Sequence, residues 1–260
     1  MVVSPSESRG QHPQDILPDR EIDLRLRGDV PPHTFAYYHL RDLHHGEACS
    51  LISSDDPTLI METVNVLTRH RFGWELTDVG PPVWRAVVQL LDDANYASLV
   101  ELLEEDHVRL DVLFANAMHN VNAGKLERAR TYFQDFAIAI RRHVYAEDNV
   151  VLPLLSAAER DRFGSTAQAV GREHADIVRL VDALQLALNR QQDSSSDLAV
   201  MFRDLSETLA KHEAREELML FPAWDVVLKS KPNHDLEHQL VVQVHAILDG
   251  DKDAALIRRA

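Results

Sequence analysis

The strongest constraint on this chain is a motif that occurs twice. Residues 143–153 read His-Val-Tyr-Ala-Glu-Asp-Asn-Val-Val-Leu-Pro, and residues 212–222 read His-Glu-Ala-Arg-Glu-Glu-Leu-Met-Leu-Phe-Pro. Both follow His-x3-Glu-acid-x3-[Leu/Phe]-Pro, 69 residues apart. The segments upstream match as well: Asp106-His107 and Glu173-His174 each precede an aliphatic residue three positions after the histidine, 67 residues apart. One helical hairpin is used twice. On a helix, residues four apart stand one above the other, so each His-x3-Glu aims an imidazole and a carboxylate at one point.

The neighbours show which way that point faces. His107 shares a stripe with Leu103, Leu110 and Phe114, and His143 shares one with Tyr132, Phe136 and Ile140, because seven- and eleven-residue steps return to nearly the same helix face. These stripes must be buried for the helices to pack. Four imidazoles and two carboxylates, from His107, His143, Glu147, His174, His212 and Glu216, therefore converge on a common axis. Buried carboxylates need compensation, and a shared cation provides it. The chain has one cysteine, which excludes disulfides and thiolate clusters, so any metal is held by nitrogen and oxygen. Four nitrogens with two anionic bridges suit a pair of first-row metals, iron first. The number of pairs proves little: with 42 acidic residues and 14 histidines, chance supplies about two His-x3-acid pairs, and the chain has four, the other two being His107/Asp111 and His245/Asp249. The repeated order and spacing carry the argument.

Around this site the sequence predicts an α+β, two-domain chain. Residues 1–20, rich in Ser, Pro and Gln, form a disordered lead-in. Residues 21–90 form a βαβαββ two-layer sandwich. Its strands lie at 22–26, 48–52, 72–76 and 83–88, with one helix opened by Pro31-Pro32 and ended by Gly46, and a second opened at Pro57. Residues 95–225 form an antiparallel four-helix bundle with helices near 95–121, 125–152, 165–190 and 197–220. Pro153 and the polar stretch through Gly164 separate the second and third of these. Residues 226–260 form a helical tail. A net charge of -15, spread along the chain, repels phosphate, so neither nucleic acid nor an anionic membrane is an expected partner. The absence of a long apolar run and of an apolar signal core predicts a cytoplasmic protein.

On the residues just quoted, 97–225 resemble a hemerythrin-type (HHE cation-binding) domain, a bundle holding a non-haem di-iron centre. The resemblance implies His107, His143, Glu147, His174, His212 and Glu216 as ligands, with the glutamates bridging two Fe ions. Oxygen-carrying hemerythrins have a further histidine four residues after the one in helix three, and that position is Val178 here. The pattern is closer to the four-His, two-Glu branch associated with nitrosative-stress defence and iron–sulfur cluster repair. Two function classes follow. One is a module that binds or senses O2, NO or peroxide; the other turns over NO or peroxide, or donates iron. A ferritin-like oxidase would need Glu-x-x-His on two helices. Glu104/His107 fits, but Gly171 stands where the second glutamate belongs.

Residues 21–90 resemble, more distantly, a small domain related to the sulfur carriers of tRNA thiolation. The carriers' reactive Cys-Pro-x-Pro turn is replaced here by Gly28 to Pro32 without cysteine. Sulfur transfer is not expected, and the domain is read as a contact for a protein partner, with Cys49 a buried small hydrophobe. His119, about 120° around the helix from His107, should miss the site. His44-His45 ends a helix, and His234 with His238 spells His-x3-His in the tail, the spacing of a second, exposed metal site. His33, His39 and His70 are read as surface or turn residues.

Overall fold

The computed structural model describes residues 18, 20–41, 43, 47–68, 72–91, 96, 98–154, 157–190, 195–230 and 235–250. The chain divides into two compact units, Met1–Asn95 and Tyr96–Ala260. The expected lead-in, apart from residues 18 and 20, lies outside the described residues, as do Gly46, His44, His45, His70 and His234.

The first unit is a four-stranded sheet with two helices. Strands β1 (Arg20–Asp23), β2 (Ala48–Ser53), β3 (Phe72–Asp78) and β4 (Trp84–Leu90) lie in the order β1-β2-β4-β3. β1 runs parallel to β2, with Ile22 opposite Leu51, and the other pairs are antiparallel. The parallel pair requires a crossover, supplied by α1 (Pro32–Leu40). Helix α2 (Thr58–Leu67) packs on α1. Every residue of β2, which is paired along both edges, is buried. The strand expected over 22–26 stops at Asp23. Its side chain accepts the Arg25 N–H at 3.0 Å and turns Leu24–Leu26 into a short 3₁₀ helix, with Leu24 buried and Leu26 exposed. A local cap thus wins over strand-like alternation.

The second unit is helical. Helices α3 (Leu99–Asn122), α4 (Leu126–Ala146), α5 (Ala157–Asn189) and α6 (Ser195–Arg215) contact one another in a ring: α3 with α4 and α6, and α5 with α4 and α6. Ser98 opens α3 by accepting the Glu101 N–H at 3.1 Å, and Gly124, at φ 70°, turns the chain into α4. Two boundaries depart from expectation. The polar stretch after Pro153 does not separate helices: α5 begins at Ala157, where Ala, Ala, Glu and Arg favour helix, and runs through Gly164. The fourth helix does not end at residue 220 either. Pro222 is the second residue of α7 (Phe221–Ser230), where a missing N–H costs nothing.

The tail is part of this unit. Helix α8 (Asp235–Asp249) packs on α3 and α4, placing Leu240, Val244 and Ile247 in one apolar core with Leu102, Leu103 and Trp224. Trp224 is wholly buried, and burial of an indole contributes roughly 4–6 kcal/mol before ordering entropy is subtracted. Both ends of α8 are tied down: Glu237 accepts the Leu99 N–H at 3.4 Å, and Arg142 reaches the Leu248 carbonyl at 3.4 Å.

Candidate metal centre

Each copy of the repeated motif ends its α-helix with one wider turn. After α4, residues Glu147–Val151 form a π-helical turn, and after α6, residues Glu216–Leu220 form another. In each, the amide five residues on bonds back to the glutamate carbonyl: Leu152 to Glu147, and Phe221 to Glu216. The prolines at 153 and 222 cannot continue an α ladder, and a single wide turn accommodates them. The glutamate is the first residue of each π turn, one turn beyond its histidine.

All six side chains singled out in the sequence come together and are buried. His143, Glu147 and Glu216 have no exposure, and His107, His174 and His212 are at most 4% exposed. The ring nitrogens face inward in two pairs. His107 Nε2 lies 3.1 Å from His143 Nε2, and each pair of rings, His107/His143 and His174/His212, has centroids 4.8 Å apart. The glutamates lie between the pairs. Glu147 places Oε1 3.3 Å from His143 Nε2 and Oε2 3.1 Å from His174 Nε2. Glu216 places Oε2 3.4 Å from both His107 Nε2 and His212 Nε2, and Oε1 3.7 Å from His174 Nε2. Two four-residue groups result, His107, His143, Glu147 and Glu216, and Glu147, His174, His212 and Glu216, each with its ligand atoms within 4.8 Å of one another. Both glutamates belong to both groups.

None of the four carboxylate oxygens accepts a hydrogen bond. Bare buried anions are expensive, and this donor set of nitrogen and oxygen around one space is what divalent cations offset. Without a cation, protons take the role. Burial opposes charge on the rings, but Glu147 and Asp106 hold His143 up to about 10, and Asp148, Glu147 and Glu216 hold His174 up to about 12. His107 is raised against its burial by Glu216, whereas burial prevails at His212 and lowers it. Burial opposes ionisation of Glu147 too, but His143 and His174 hold its carboxyl well below the usual range.

Outside the six lies a second ring of carboxylates, whose part the sequence reading missed. Behind each imidazole an acid faces Nδ1: Asp106 at 2.9 Å from His143, Asp148 at 2.7 Å from His174, Glu173 at 3.7 Å from His212 and Glu217 at 3.7 Å from His107. The first two are hydrogen bonds; the others are too long. The sequence signal was present, because these are the acids preceding His107 and His174 and following Glu147 and Glu216. Their targets lie on neighbouring helices, so spacing alone could not assign them. A carboxylate behind Nδ1 fixes the hydrogen there and leaves Nε2 as the inward lone pair.

Helix packing seals the interior. Phe114, Phe136 and Phe202 meet at ring separations of 5.1 and 5.3 Å, and Phe221 stacks on His107 at 5.7 Å and 18°. Tyr132 and Ile140 are buried as well. His119 is exposed and outside both groups. Cys49, in β2, is fully buried, and burial pushes its thiol up to about 12. No helix among the described residues is long and apolar enough to cross a membrane. No curated protein and no solved structure matches the chain. Residues 98–224, the span that carries all six inward side chains, match the family model described as Hemerythrin HHE cation binding domain, and this hemerythrin-like stretch is a metal-binding module lined by histidine and glutamate.

Proposed function

We propose that this chain is a non-haem di-iron protein that binds O2, NO or peroxide and serves as a binding or sensing module. The observation that carries the reading is the set of four buried carboxylate oxygens, from Glu147 and Glu216, that accept no hydrogen bond yet face four imidazoles. In this reading His107 and His143 would hold one iron, His174 and His212 would hold the other, and Glu147 and Glu216, which belong to both groups, would serve both. The helix ring is an antiparallel four-helix bundle, and residues 21–90 form an α/β sandwich, distantly like the sulfur carriers, that meets a protein partner.

An iron pair supplies a change of oxidation state and an open coordination position for a small ligand. The chain supplies the rest. Asp106 and Asp148 fix two imidazoles by their Nδ1–H groups. Phe114, Tyr132, Phe136 and Ile140 keep the interior dry, which limits access by water. Glu147 and Glu216, each within reach of both histidine pairs, would hold the two metals together. A second reading, turnover of NO or peroxide or donation of iron, is favoured by one feature: Asp148 and Glu217, behind His174 and His107, are 41% and 49% exposed, so the rim is wet.

The test is anaerobic purification, iron per chain, and the visible spectrum on adding O2, NO and peroxide. A stable adduct without consumption supports the module. Repeated loss of gas or peroxide supports turnover, and absence of bound metal refutes both.

A further inference from the structure

Arg109 has no place in the ligand set, yet it lies almost wholly buried one turn from Asp106, with its side chain 10% exposed. Its Nε donates to Asp106 Oδ1 at 2.7 Å, while the other oxygen of Asp106 accepts from His143 Nδ1 at 2.9 Å. Asp106 itself has no exposure. Arg109 Nη2 is buried without a hydrogen-bond partner. A buried arginine with a bare nitrogen is a poor way to gain stability, since apolar residues of similar volume commonly do as well or better. What the arrangement does provide is direction. With one carboxylate oxygen held by Arg109, Asp106 keeps the other aimed at His143, and the His143 ring turns Nε2 toward Glu147 and His107.

The second half of the repeat shows the same parts set differently. Arg215 Nε spans both oxygens of Glu173 at 2.9 and 3.1 Å, and Glu173 stands 3.7 Å from His212 Nδ1, beyond a hydrogen bond. Arg215 is 34% exposed and Glu173 19%. The chain of contacts from arginine through acid to imidazole is therefore closed and dry on the His143 side, and open and half-wet on the His212 side.

We propose that Arg109 is a positioning residue of the metal centre, acting through Asp106 to hold His143 in its ligating orientation, and that Arg215 has no equal role toward His212. This rests on the metal-centre reading above. Outer partners of this kind commonly change metal retention by about ten- to a hundredfold.

The experiment compares wild type, Arg109→Met, the double variant Arg109→Met with Asp106→Asn, and Arg215→Met. Each full-length protein is loaded with Fe(II) without oxygen, and metal loss to a chelator is timed alongside melting of the metal-free form. Arg109→Met removes one cationic partner of a fully buried carboxylate, so its metal-free form melts lower. The double variant lowers the buried charge to match and recovers part of that melting temperature. The proposal expects Arg109→Met to lose one of its two metals about ten times faster than wild type or more and the double variant to lose it no more slowly than Arg109→Met, with the second metal lost at the wild-type rate and Arg215→Met changing retention less. Recovery of metal retention together with melting temperature would show a purely structural ion pair and overturn the proposal. So would an equal or larger effect of Arg215→Met. A wild-type protein that takes up no metal would overturn the underlying reading as well, so the two failures are distinct.

Discussion

Phe221 offers a sharp test of how the centre is held. It follows the second π turn, is 2% exposed, and lies between the His107 ring at 5.7 Å and the Trp224 ring at 5.4 Å, nearly parallel to both. His107 is also an imidazole whose outer acid, Glu217, is too distant to bond, so packing on Phe221 does much of the orienting. Phe221→Ala should destabilise the chain by about 3–5 kcal/mol, which confounds any reading of the metal. Phe221→Leu is more informative, because leucine stands at the matching place, Leu152, in the first copy of the motif. This change keeps an apolar side chain and should cost less than about 1.5 kcal/mol. It removes the ring stack, worth about 0.5–1.5 kcal/mol, which amounts to a twofold to tenfold faster loss of the metal at His107. The assay is timed transfer of iron to a chelator, with thermal melting of the same samples. Phe221→Leu protein that melts slightly lower but releases metal at the wild-type rate would refute the idea that stacking holds His107.

Other expectations follow from the same geometry. His143→Ala removes an inward nitrogen and should lower bound iron sharply, whereas exposed His119→Ala should leave it unchanged; iron per chain measured on both variants decides. In the metal-free chain His143 and His174 are raised from 6.5 to about 10 and about 12, so their contribution to stability is complete below pH 6.5 and is lost as pH rises through those values. Melting of metal-free protein should therefore decline from pH 7 to pH 11 through these groups, while metal-loaded protein, whose imidazoles carry no such protons, shows a smaller decline. Loading at pH 7 should release protons, those of His143 and His174 among them, readable with an indicator dye in weak buffer. Cys49, buried with its thiol near 12, should resist thiol reagents until the chain is unfolded, and fast labelling of native protein would contradict the buried strand position.

The six inward side chains were legible because helical spacing is written in the sequence. His-x3-Glu, repeated with matching flanks, fixes both the face and the pairing of the helices. The strands at β2 and β4 were legible as apolar runs between turns. Other features depend on choices that composition does not record. Leu24–Leu26 alternates as a strand would, and only the Asp23 side chain bonding to its own chain decides otherwise. The π turns shift a backbone bond by one residue and leave no mark beyond the following proline. Asp106 and Asp148 were visible as acids in the motif, but each serves a histidine on another helix, and Arg109 is silent in any spacing rule. The tail was read as a helix, yet its place against Trp224 came from a tertiary core that periodicity along one segment does not contain.

That last placement bears on where this module ends. The family match closes at residue 224, but the apolar seam beneath both π turns continues past it through Val227 and Leu228 to Leu240, Val244 and Ile247 of α8. A fragment trimmed at the edge of the match would bare a greasy floor made of Leu102, Leu103 and Trp224, and such a floor invites self-association in solution. The minimal piece worth expressing therefore runs to Gly250, where the last turn of α8 meets the guanidinium of Arg142.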